Sequence, residues 1–218
     1  MPTTISRIAF IALCLTFASP AISVADQDVS GLYRDSFALE SAGNLKAATN
    51  KVLMILRKEP DSYFANLRTG WLFYCQGKSE EAVRYYDRSV GLKPKAVEPL
   101  LGKMLPLLGM AAWGKVIQTA NKAIELDPGN YTANSKLAYA LFMSGNYAKA
   151  LERYEFTSER FPGDLEMSSG AAWCKLKMGR TAKARTIFVG ILKISPSNLS
   201  ALRGLAACKL PAPSPQLP

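Results

Sequence analysis

The sequence predicts an all-α solenoid in which five helix–turn–helix units of 34 residues follow one another without a gap. Prolines recur with a period of 34 residues: Pro60, Pro94, Pro128, Pro162 and Pro196. A glycine column and an alanine column keep the same period in four of the units: Gly43, Gly77, Gly145 and Gly179, and Ala48, Ala82, Ala150 and Ala184. Three columns in one register, with a hydrophobic content of 49%, indicate a repeated unit with enough apolar surface to form a core.

Each unit is expected to contain two helices. Apolar residues before the glycine fall at helical spacing, as Leu137 and Leu141 do in the fourth unit. The glycine fits a helix C-terminus, where the backbone turns left-handed and a side chain is costly. A second helix follows, such as residues 148–159, and Pro162 closes the unit because a helix does not run through it. Small residues are expected where two helices approach closely, with larger ones between them: Gly70, Ala138, Ala172 and Ala206, and Tyr86, Tyr154 and Phe188.

The pattern resembles the tetratricopeptide repeat. The match is close in the fourth unit, which carries that family's signature residues: Leu137, Ala138, Gly145, Tyr147, Ala150, Tyr154 and Pro162. The resemblance covers residues 29–198, which it divides into five units: 29–62, 63–96, 97–130, 131–164 and 165–198. It implies a right-handed solenoid and a non-enzymatic scaffold that binds another protein. It does not name the partner, because a fold of this kind serves many unrelated functions.

The first 25 residues differ from the repeats and are typical of a secretory signal. Arg7 precedes an apolar stretch, and Ser23-Val24-Ala25 has the small-residue pattern of a cleavage site. Leu13 before Cys14 is too bulky for a lipoprotein signal, so we predict no lipid anchor. We therefore expect a periplasmic or secreted protein, with an uncleaved N-terminal anchor as the alternative.

The C-terminal end has two further predicted segments. Residues 199–210 look like the first helix of a sixth unit and are predicted to form a capping helix, with Leu205, Ala206 and Leu210 facing inward. Residues 211–218 contain four prolines, which stop a helix, so we expect an extended and disordered tail.

The third unit departs from the repeat. Ala111 and Val116 replace the glycine and alanine of the columns, and Pro106 lies inside the first helix between Gly102 and Gly109. An interior proline costs a helix roughly 3 kcal/mol and kinks it. We therefore predict a local irregularity in this helix, and a tolerated kink without a role is the alternative.

One apolar stripe of the first helices is the candidate binding surface. The fifth, ninth and twelfth residues of a unit share one helix face. The ninth residue is large and apolar in all five units, and the twelfth adds two rings: Phe37, Trp71, Leu105, Tyr139 and Trp173, with Tyr74 and Phe142. In the tetratricopeptide family this face lines the concave groove where peptides lie. The resemblance thus implies that these residues bind an apolar or amphipathic segment of a partner protein.

The same stripe has a plainer interpretation, since aromatic residues at helical spacing often pack between helices. Inter-repeat packing is therefore the alternative to an open groove. Some members of the family hold a partner's C-terminal carboxylate with lysine and asparagine at the fifth and ninth positions. In this sequence apolar and aromatic residues stand there in the first two units, so we expect no such clamp: Tyr33, Phe37, Leu67 and Trp71.

The net charge of +10 is concentrated near the C-terminus. Residues 26–166 contain 18 basic and 17 acidic residues, whereas residues 167–218 contain eight basic residues and no acidic one. Five of them form a candidate basic patch: Lys175, Lys177, Arg180, Lys183 and Arg185. The alternative function is thus a structural or surface-attachment protein that docks an anionic envelope component. The alternative interpretation of these basic residues is a helix face exposed to solvent, without a binding role.

Two further partners are considered. Nucleic acid is disfavoured as a partner because the export signal removes the protein from it. Self-association through the open ends of the array is a third hypothesis.

The residues of most catalytic and metal sites are missing from the sequence. It has no histidine, no Cys-x-x-Cys and no glycine-rich phosphate loop, and we predict no catalytic residue, metal or cofactor. Three cysteines follow the signal, so they cannot all pair within one chain. Cys174 and Cys208 share a unit position on adjacent first helices, which are expected to be too far apart for a disulfide. Asn130 and Asn198 begin glycosylation sequons, and we interpret both as helix caps.

Overall fold

The fold is given by a computed structural model that describes residues 28–209; the predicted signal at 1–25 and the predicted tail at 211–218 lie outside these residues. Within them the chain forms eleven α-helices and no strand, which confirms the all-α repeat fold. The helices are α1 Val29–Ser41, α2 Leu45–Lys58, α3 Tyr63–Cys75, α4 Ser79–Leu92, α5 Glu98–Gly109, α6 Trp113–Leu126, α7 Tyr131–Met143, α8 Tyr147–Arg160, α9 Leu165–Lys177, α10 Thr181–Ile194 and α11 Leu199–Ala207. Among the described helices, none combines the length and the apolar composition that a membrane span requires.

The packing of the helices gives the array its curvature. Each helix packs against the next one along the chain. From α3 to α11, each odd-numbered helix also packs against the next odd-numbered helix, whereas the even-numbered helices of residues 28–209 make no such contacts with one another. Successive first helices lie closer to one another than successive second helices do. The array therefore curves toward the first helices, which line its concave face.

The turn inside each unit requires a left-handed residue. Four glycines supply it, with φ between 73° and 80°: Gly43, Gly77, Gly145 and Gly179. In the third unit Ala111 takes the same conformation, with φ 52°, and it is the sole non-glycine residue with positive φ within residues 28–209. A Cβ in this region costs roughly 1–2 kcal/mol, so the turn geometry is imposed by the repeat against the preference of this alanine.

Replacing Ala111 with glycine is expected to stabilise the protein by about 0.5–1 kcal/mol, because relief of the left-handed strain exceeds the extra chain entropy of glycine. Urea unfolding followed by circular dichroism measures the change. The matched control is Gly145→Ala, which places a Cβ at the same turn of the fourth unit and should lower the free energy of unfolding by about 1 kcal/mol. A destabilised Ala111→Gly protein would show that this alanine is not strained.

Large side chains of the second helices fill the space between successive units. Tyr86, Tyr154 and Phe188 are all buried. Each of the three rings lies against a glycine in the following first helix: Gly102, Gly170 and Gly204, respectively. A Cβ added at Gly170 would stand 2.3 Å from the ring of Tyr154, which is closer than two carbon atoms can approach. The glycines therefore provide the space that the rings occupy.

The helix starts confirm the interpretation of the two sequon asparagines. The Asn130 side chain accepts a hydrogen bond from the Ala133 backbone N–H at 3.0 Å, and that of Asn198 accepts one from Ala201 at 2.9 Å. Each side chain therefore satisfies one of the free amide donors of the first turn.

Two elements of the C-terminal two thirds of the chain bear on sequence-based expectations. The helix α5 starts at Glu98, one residue after the first position of its unit, and continues through Pro106 to Gly109, and the predicted irregularity at Pro106 stays a prediction. In α11, the prediction that Ala206 faces inward is wrong, because this residue is exposed, while Leu205 is half-buried and Leu210 lies outside the described residues. In the first unit the second helix packs on this side, since the equivalent Ser36 donates a hydrogen bond to Ala48 of α2, whereas no helix follows α11 within residues 28–209.

Candidate functional site

Three cavities lie along the concave face, which we call the groove. The N-terminal pocket, about 330 Å³, lies between α1, α3, α4 and α5, and its lining comprises Phe37, Phe64, Leu67, Arg68, Trp71, Tyr86, Glu98 and Gly102. The middle pocket, about 510 Å³, is lined by α5, α7, α8 and α9 and includes Leu108, Tyr131, Ser135, Lys136, Tyr139 and Glu166. The C-terminal pocket, about 390 Å³, extends to α11 and includes Tyr139, Phe142, Glu166, Trp173, Lys177 and Ser200.

In the N-terminal pocket two predicted groove residues are open to solvent. Phe37 is 47% exposed and Trp71 is 40% exposed. The indole Nε1 of Trp71 donates a hydrogen bond to Oε1 of Glu40 at 2.7 Å, and the other oxygen of Glu40 lies 2.8 Å from Nη2 of Arg68. The Arg68 guanidinium also lies over the Phe37 ring, with Cζ 3.5 Å from the ring centroid. The two rings are therefore oriented by polar contacts and stay partly open to solvent, although Arg68 covers one face of the Phe37 ring.

Arg68 is buried below these rings and joins three helices. Its side chain is 5% exposed, and its Nε and Nη2 donate to Ser36 Oγ at 3.1 and 3.0 Å. Ser36 Oγ in turn donates to the backbone oxygen of Ala48 in α2 at 3.0 Å. Because a buried charge is costly without partners, this network is a structural element of the pocket. Sequence reasoning did not find it, since an arginine on an amphipathic helix is usually solvated.

Two other predicted residues contribute less to the open surface. Tyr74 is half-buried, and its ring centroid lies 5.8 Å from that of Trp71, so it supports the indole. Leu105 is half-buried on α5 and lines none of the three pockets.

Three predicted residues line the C-terminal half of the groove. Tyr139 is 43% exposed and packs edge-on against Trp113 at 5.9 Å. Phe142 is half-buried and packs on Tyr147. Trp173 is also half-buried: its ring packs against the buried Phe188 at 5.5 Å, and its Nε1 donates to Ser200 Oγ at 3.0 Å. Trp173 thus combines both interpretations of the stripe, because one part of the ring packs and another part lines the pocket.

The structure adds charged residues that the sequence stripe did not include. Lys136 and Glu166 line the middle pocket, and Glu166 and Lys177 line the C-terminal pocket. They lie at the second, sixth and thirteenth unit positions, which share one edge of the apolar stripe on the helix surface. The groove therefore has an aromatic stripe with charged residues along one of its edges.

Three side chains of the groove region, Tyr131, Tyr154 and Cys174, have raised pKa values and stay protonated near neutral pH. The hydrogen bond that Tyr131 donates to Asp164 at 2.5 Å, helped by burial, raises the pKa of Tyr131 to about 12. Burial raises the pKa of the Cys174 thiol to about 12 and also raises the pKa of Tyr154. Thiolate and phenolate forms are thereby disfavoured at these positions. The part of the chain that the structure describes contains no group of three or more acidic or cysteine side chains that could hold a metal ion, and its three cysteines are free.

The predicted basic patch is spread over several surfaces. Lys175 forms an ion pair with Glu155 of α8 at 2.5 Å, whereas Lys177 lines the C-terminal pocket. Arg180, Lys183 and Arg185 are exposed at the beginning of α10. Only these last three residues lie on one short segment, so a single docking surface of all five stays a prediction.

The matches to a known protein family fall within the repeated units. Two profiles of the tetratricopeptide repeat family match residues 119–152 and 141–208. Sperm-associated antigen 1 of Mus musculus is 30% identical over 105 residues, which are 46% of this chain and 11% of that protein. The chain therefore spans about a tenth of the length of this curated relative.

Solved structures share the whole fold at low identity. A tetratricopeptide repeat protein from Parabacteroides merdae has a TM-score of 0.77 at 19% identity, covering 83% of this chain and 72% of that one. YrrB, described as a TPR protein with an unusual peptide-binding site, has a TM-score of 0.73 at 17% identity and coverages of 85% and 94%. The MamA protein has a TM-score of 0.72 at 18% identity and coverages of 85% and 97%. With the 34-residue period, the left-handed turns and the paired helices, the two profile matches support a tetratricopeptide repeat protein, and the solved structures share its fold.

Proposed function

We propose that the protein is a non-enzymatic, extracytoplasmic scaffold whose groove binds an apolar or amphipathic segment of a partner protein. Proteins of the tetratricopeptide repeat family generally serve as scaffolds for protein–protein interaction. The observation that carries the finer proposal is the exposure of three large rings on one concave face: Phe37, Trp71 and Tyr139 are 47%, 40% and 43% exposed. The extracytoplasmic location is supported by the signal pattern of residues 1–25.

Rings exposed in this way favour a binding surface over simple packing. Exposed apolar side chains that share one face often mark an interaction surface, and aromatic residues dominate the energetics of interfaces. The N-terminal and C-terminal pockets, about 330 and 390 Å³, are large enough to accept bulky apolar side chains. A partner segment that places apolar residues into both pockets would bury the rings between them.

The test uses peptides selected on the wild-type protein from a random library of amphipathic sequences. We expect Trp71→Ala combined with Tyr139→Ala to weaken their binding by tenfold or more, since truncated anchor residues typically cost more than about 1.4 kcal/mol. The thermal midpoint should change little, because both rings are substantially exposed. This variant leaves Trp173 unchanged, because its ring packs against the buried Phe188 and its loss would also affect stability.

The matched control is Leu126→Ala combined with Ile194→Ala, two exposed apolar residues at the ends of α6 and α10. This variant should bind the selected peptides as the wild type does. Unchanged binding in the groove variant, or a large loss of thermal stability, would mean that the rings serve packing alone.

Salt dependence separates this proposal from surface attachment. Binding to vesicles of anionic lipid through the exposed cations of α10 should fade steeply between low and physiological salt, because exposed charges are screened within about 8–10 Å. Binding of an apolar segment in the groove should change little over that range. Peptide binding that disappears with salt would favour the basic end as the functional surface.

A further inference from the structure

The N-terminal and C-terminal pockets are built from equivalent residues. In each pocket a buried tyrosine of a second helix lines the cavity together with a glycine and a glutamate of the next first helix, and a ring at the ninth unit position completes the lining. The two sets are Tyr86, Gly102, Glu98 and Trp71 in the N-terminal pocket, and Tyr154, Gly170, Glu166 and Tyr139 in the C-terminal pocket. Every residue of the second set stands two units after its counterpart in the first. The groove therefore contains one kind of pocket twice.

The tyrosine and the glutamate occur together at the junctions between units. Of the five junctions from α2–α3 to α10–α11, the two that have the tyrosine also have the glutamate at the second position of the following unit. The other three have neither, and the equivalent pairs are Val52 with Phe64, Ala120 with Thr132 and Phe188 with Ser200. A glutamate in the first turn favours the helix dipole of any unit, so helix stability does not explain why it accompanies the tyrosine. The pairing indicates a shared role in the pocket.

The two tyrosine hydroxyls are polar groups on buried side chains without a partner in the chain. Tyr86 is 2% and Tyr154 is 6% exposed, and within residues 28–209 neither hydroxyl forms a hydrogen bond. Burial raises the pKa of both tyrosines, so each hydroxyl keeps its proton and can donate as well as accept. Because buried polar groups normally have hydrogen-bond partners, these hydroxyls indicate that a polar group of a ligand enters each pocket.

The two carboxylates are available to a cation. Glu98 and Glu166 are exposed, and among the described residues no lysine or arginine forms an ion pair with either of them. Glu98 accepts one long hydrogen bond, from the hydroxyl of Tyr63 at 3.4 Å. Each carboxylate therefore keeps its charge at the edge of an aromatic pocket.

Two basic residues also line the pockets, but neither neutralises these carboxylates. Arg68 in the N-terminal pocket pairs with Glu40. Lys177 in the C-terminal pocket follows Glu166 by eleven residues on α9, which is about 16 Å along the helix axis. The pockets are thus complementary to a positively charged side chain at the glutamate edge.

A partly open ring, a carboxylate and a phenol oxygen together suit a guanidinium group. A guanidinium stacks flat on an aromatic ring and has five N–H donors for the two kinds of oxygen. The chain itself uses this combination, since Arg68 lies over the Phe37 ring and pairs with Glu40. We propose that each of the two pockets binds an arginine side chain of the partner segment. This inference rests on the proposed function, because it specifies the chemistry of the segment that the groove binds.

The separation of the pockets determines the spacing of the two arginines. First helices of adjacent units pack about 8–10 Å apart, so pockets two units apart are separated by roughly 16–20 Å. An extended chain advances about 3.3 Å per residue, which corresponds to five or six residues. A spacing of six also places both side chains on the same face of an extended segment.

The experiment measures the binding of three labelled peptides to the full chain by fluorescence anisotropy at physiological salt. The first peptide is Arg-Ser-Leu-Ser-Leu-Ser-Arg, with the arginines six residues apart. The second has citrulline in place of both arginines, which keeps the shape of the side chain and removes its charge. The third, Arg-Ser-Leu-Arg-Leu-Ser-Ser, has the composition of the first with the arginines three residues apart.

We expect the first peptide to bind at least tenfold more tightly than either of the others. Glu98→Gln combined with Glu166→Gln should weaken its binding at least tenfold. The matched control is Glu125→Gln, an exposed glutamate of α6 outside the groove, which should leave the affinity unchanged.

The hydroxyl is tested separately by Tyr154→Phe. This substitution should weaken binding of the first peptide at least threefold without lowering the thermal midpoint, because the hydroxyl has no hydrogen bond within the described residues to lose. A lower thermal midpoint with unchanged affinity would assign the hydroxyl to the packing of the protein and contradict its role in the pocket.

The inference is overturned by equal affinity for the arginine and citrulline peptides, by absence of saturable binding of the first peptide, or by binding that the double glutamate variant retains. The proposed function is decided by different data. If the variant with Trp71→Ala and Tyr139→Ala loses the library peptides while arginine and citrulline bind equally, the groove function stands and only this inference fails. If that variant keeps its library peptides, the groove function itself fails.

Discussion

Replacing Gly170 with alanine is expected to lower the free energy of unfolding by up to about 2 kcal/mol, which is the overpacking strain of about 1–3 kcal/mol less the helix preference for alanine. The added Cβ would lie 2.3–2.6 Å from three ring atoms of Tyr154. Tyr154 is 6% exposed and packs in the central core, so its ring has little space into which it could move. The strain should exceed the roughly 1 kcal/mol by which alanine is preferred over glycine inside a helix. Urea unfolding followed by circular dichroism gives the difference.

The control for this substitution is Gly190→Ala in α10. Apart from its chain neighbours and the adjacent backbone of its own helix, no heavy atom lies within 4 Å of a Cβ added there. With no contact to oppose it, helix preference alone should raise the free energy of unfolding by roughly 0.5–1 kcal/mol. The same chemical change is therefore expected to have opposite signs at the two sites. Stabilisation at both glycines would show that the ring of Tyr154 does not require the space at Gly170.

Replacing Glu40 with alanine is expected to cost about 2–3 kcal/mol, because it leaves the guanidinium of Arg68 buried without its carboxylate. This cost is at the lower end of the range for breaking a buried ion pair, because the Glu40 side chain is 24% exposed. The substitution also removes the acceptor of the Trp71 indole N–H, so peptide binding in the N-terminal pocket should weaken together with stability.

A double-mutant cycle separates the interaction free energy of Glu40 and Arg68 from the effects of each side chain on its other neighbours. Arg68→Met in the Glu40→Ala background should recover part of the loss, because it removes the unpaired buried charge. Asp87→Ala, which breaks the pair with Lys103, is the control: Asp87 is 51% exposed, so the expected cost is about 0–1 kcal/mol. Equal costs for Glu40→Ala and Asp87→Ala would mean that solvent screens Arg68 as it screens a surface residue.

The spacing of rings and glycines could have been found in the sequence but was not. Each buried ring stands sixteen residues before its glycine, as Tyr154 does before Gly170. Where the second helix has a smaller residue, as at Val52 or Ala120, a long basic side chain takes the place of that glycine. The ring belongs to one unit and its glycine to the next. Aligning the units with one another compares equivalent positions and therefore does not reveal this pairing between neighbouring units.

The sequence by itself determined the features that depend on local backbone chemistry. Helix pairs, the left-handed turns at residues such as Gly145, and the asparagine caps follow from the conformational preferences of a few adjacent residues, and a strict period repeats them. The tertiary structure alone decided which members of one apolar stripe remain open. Trp71 stays 40% exposed above Arg68, and Trp173 packs against Phe188. Ala206 is exposed, whereas the equivalent Ala138 is buried. The physical reason is that burial depends on the neighbouring helix, which lies many residues away and differs from unit to unit.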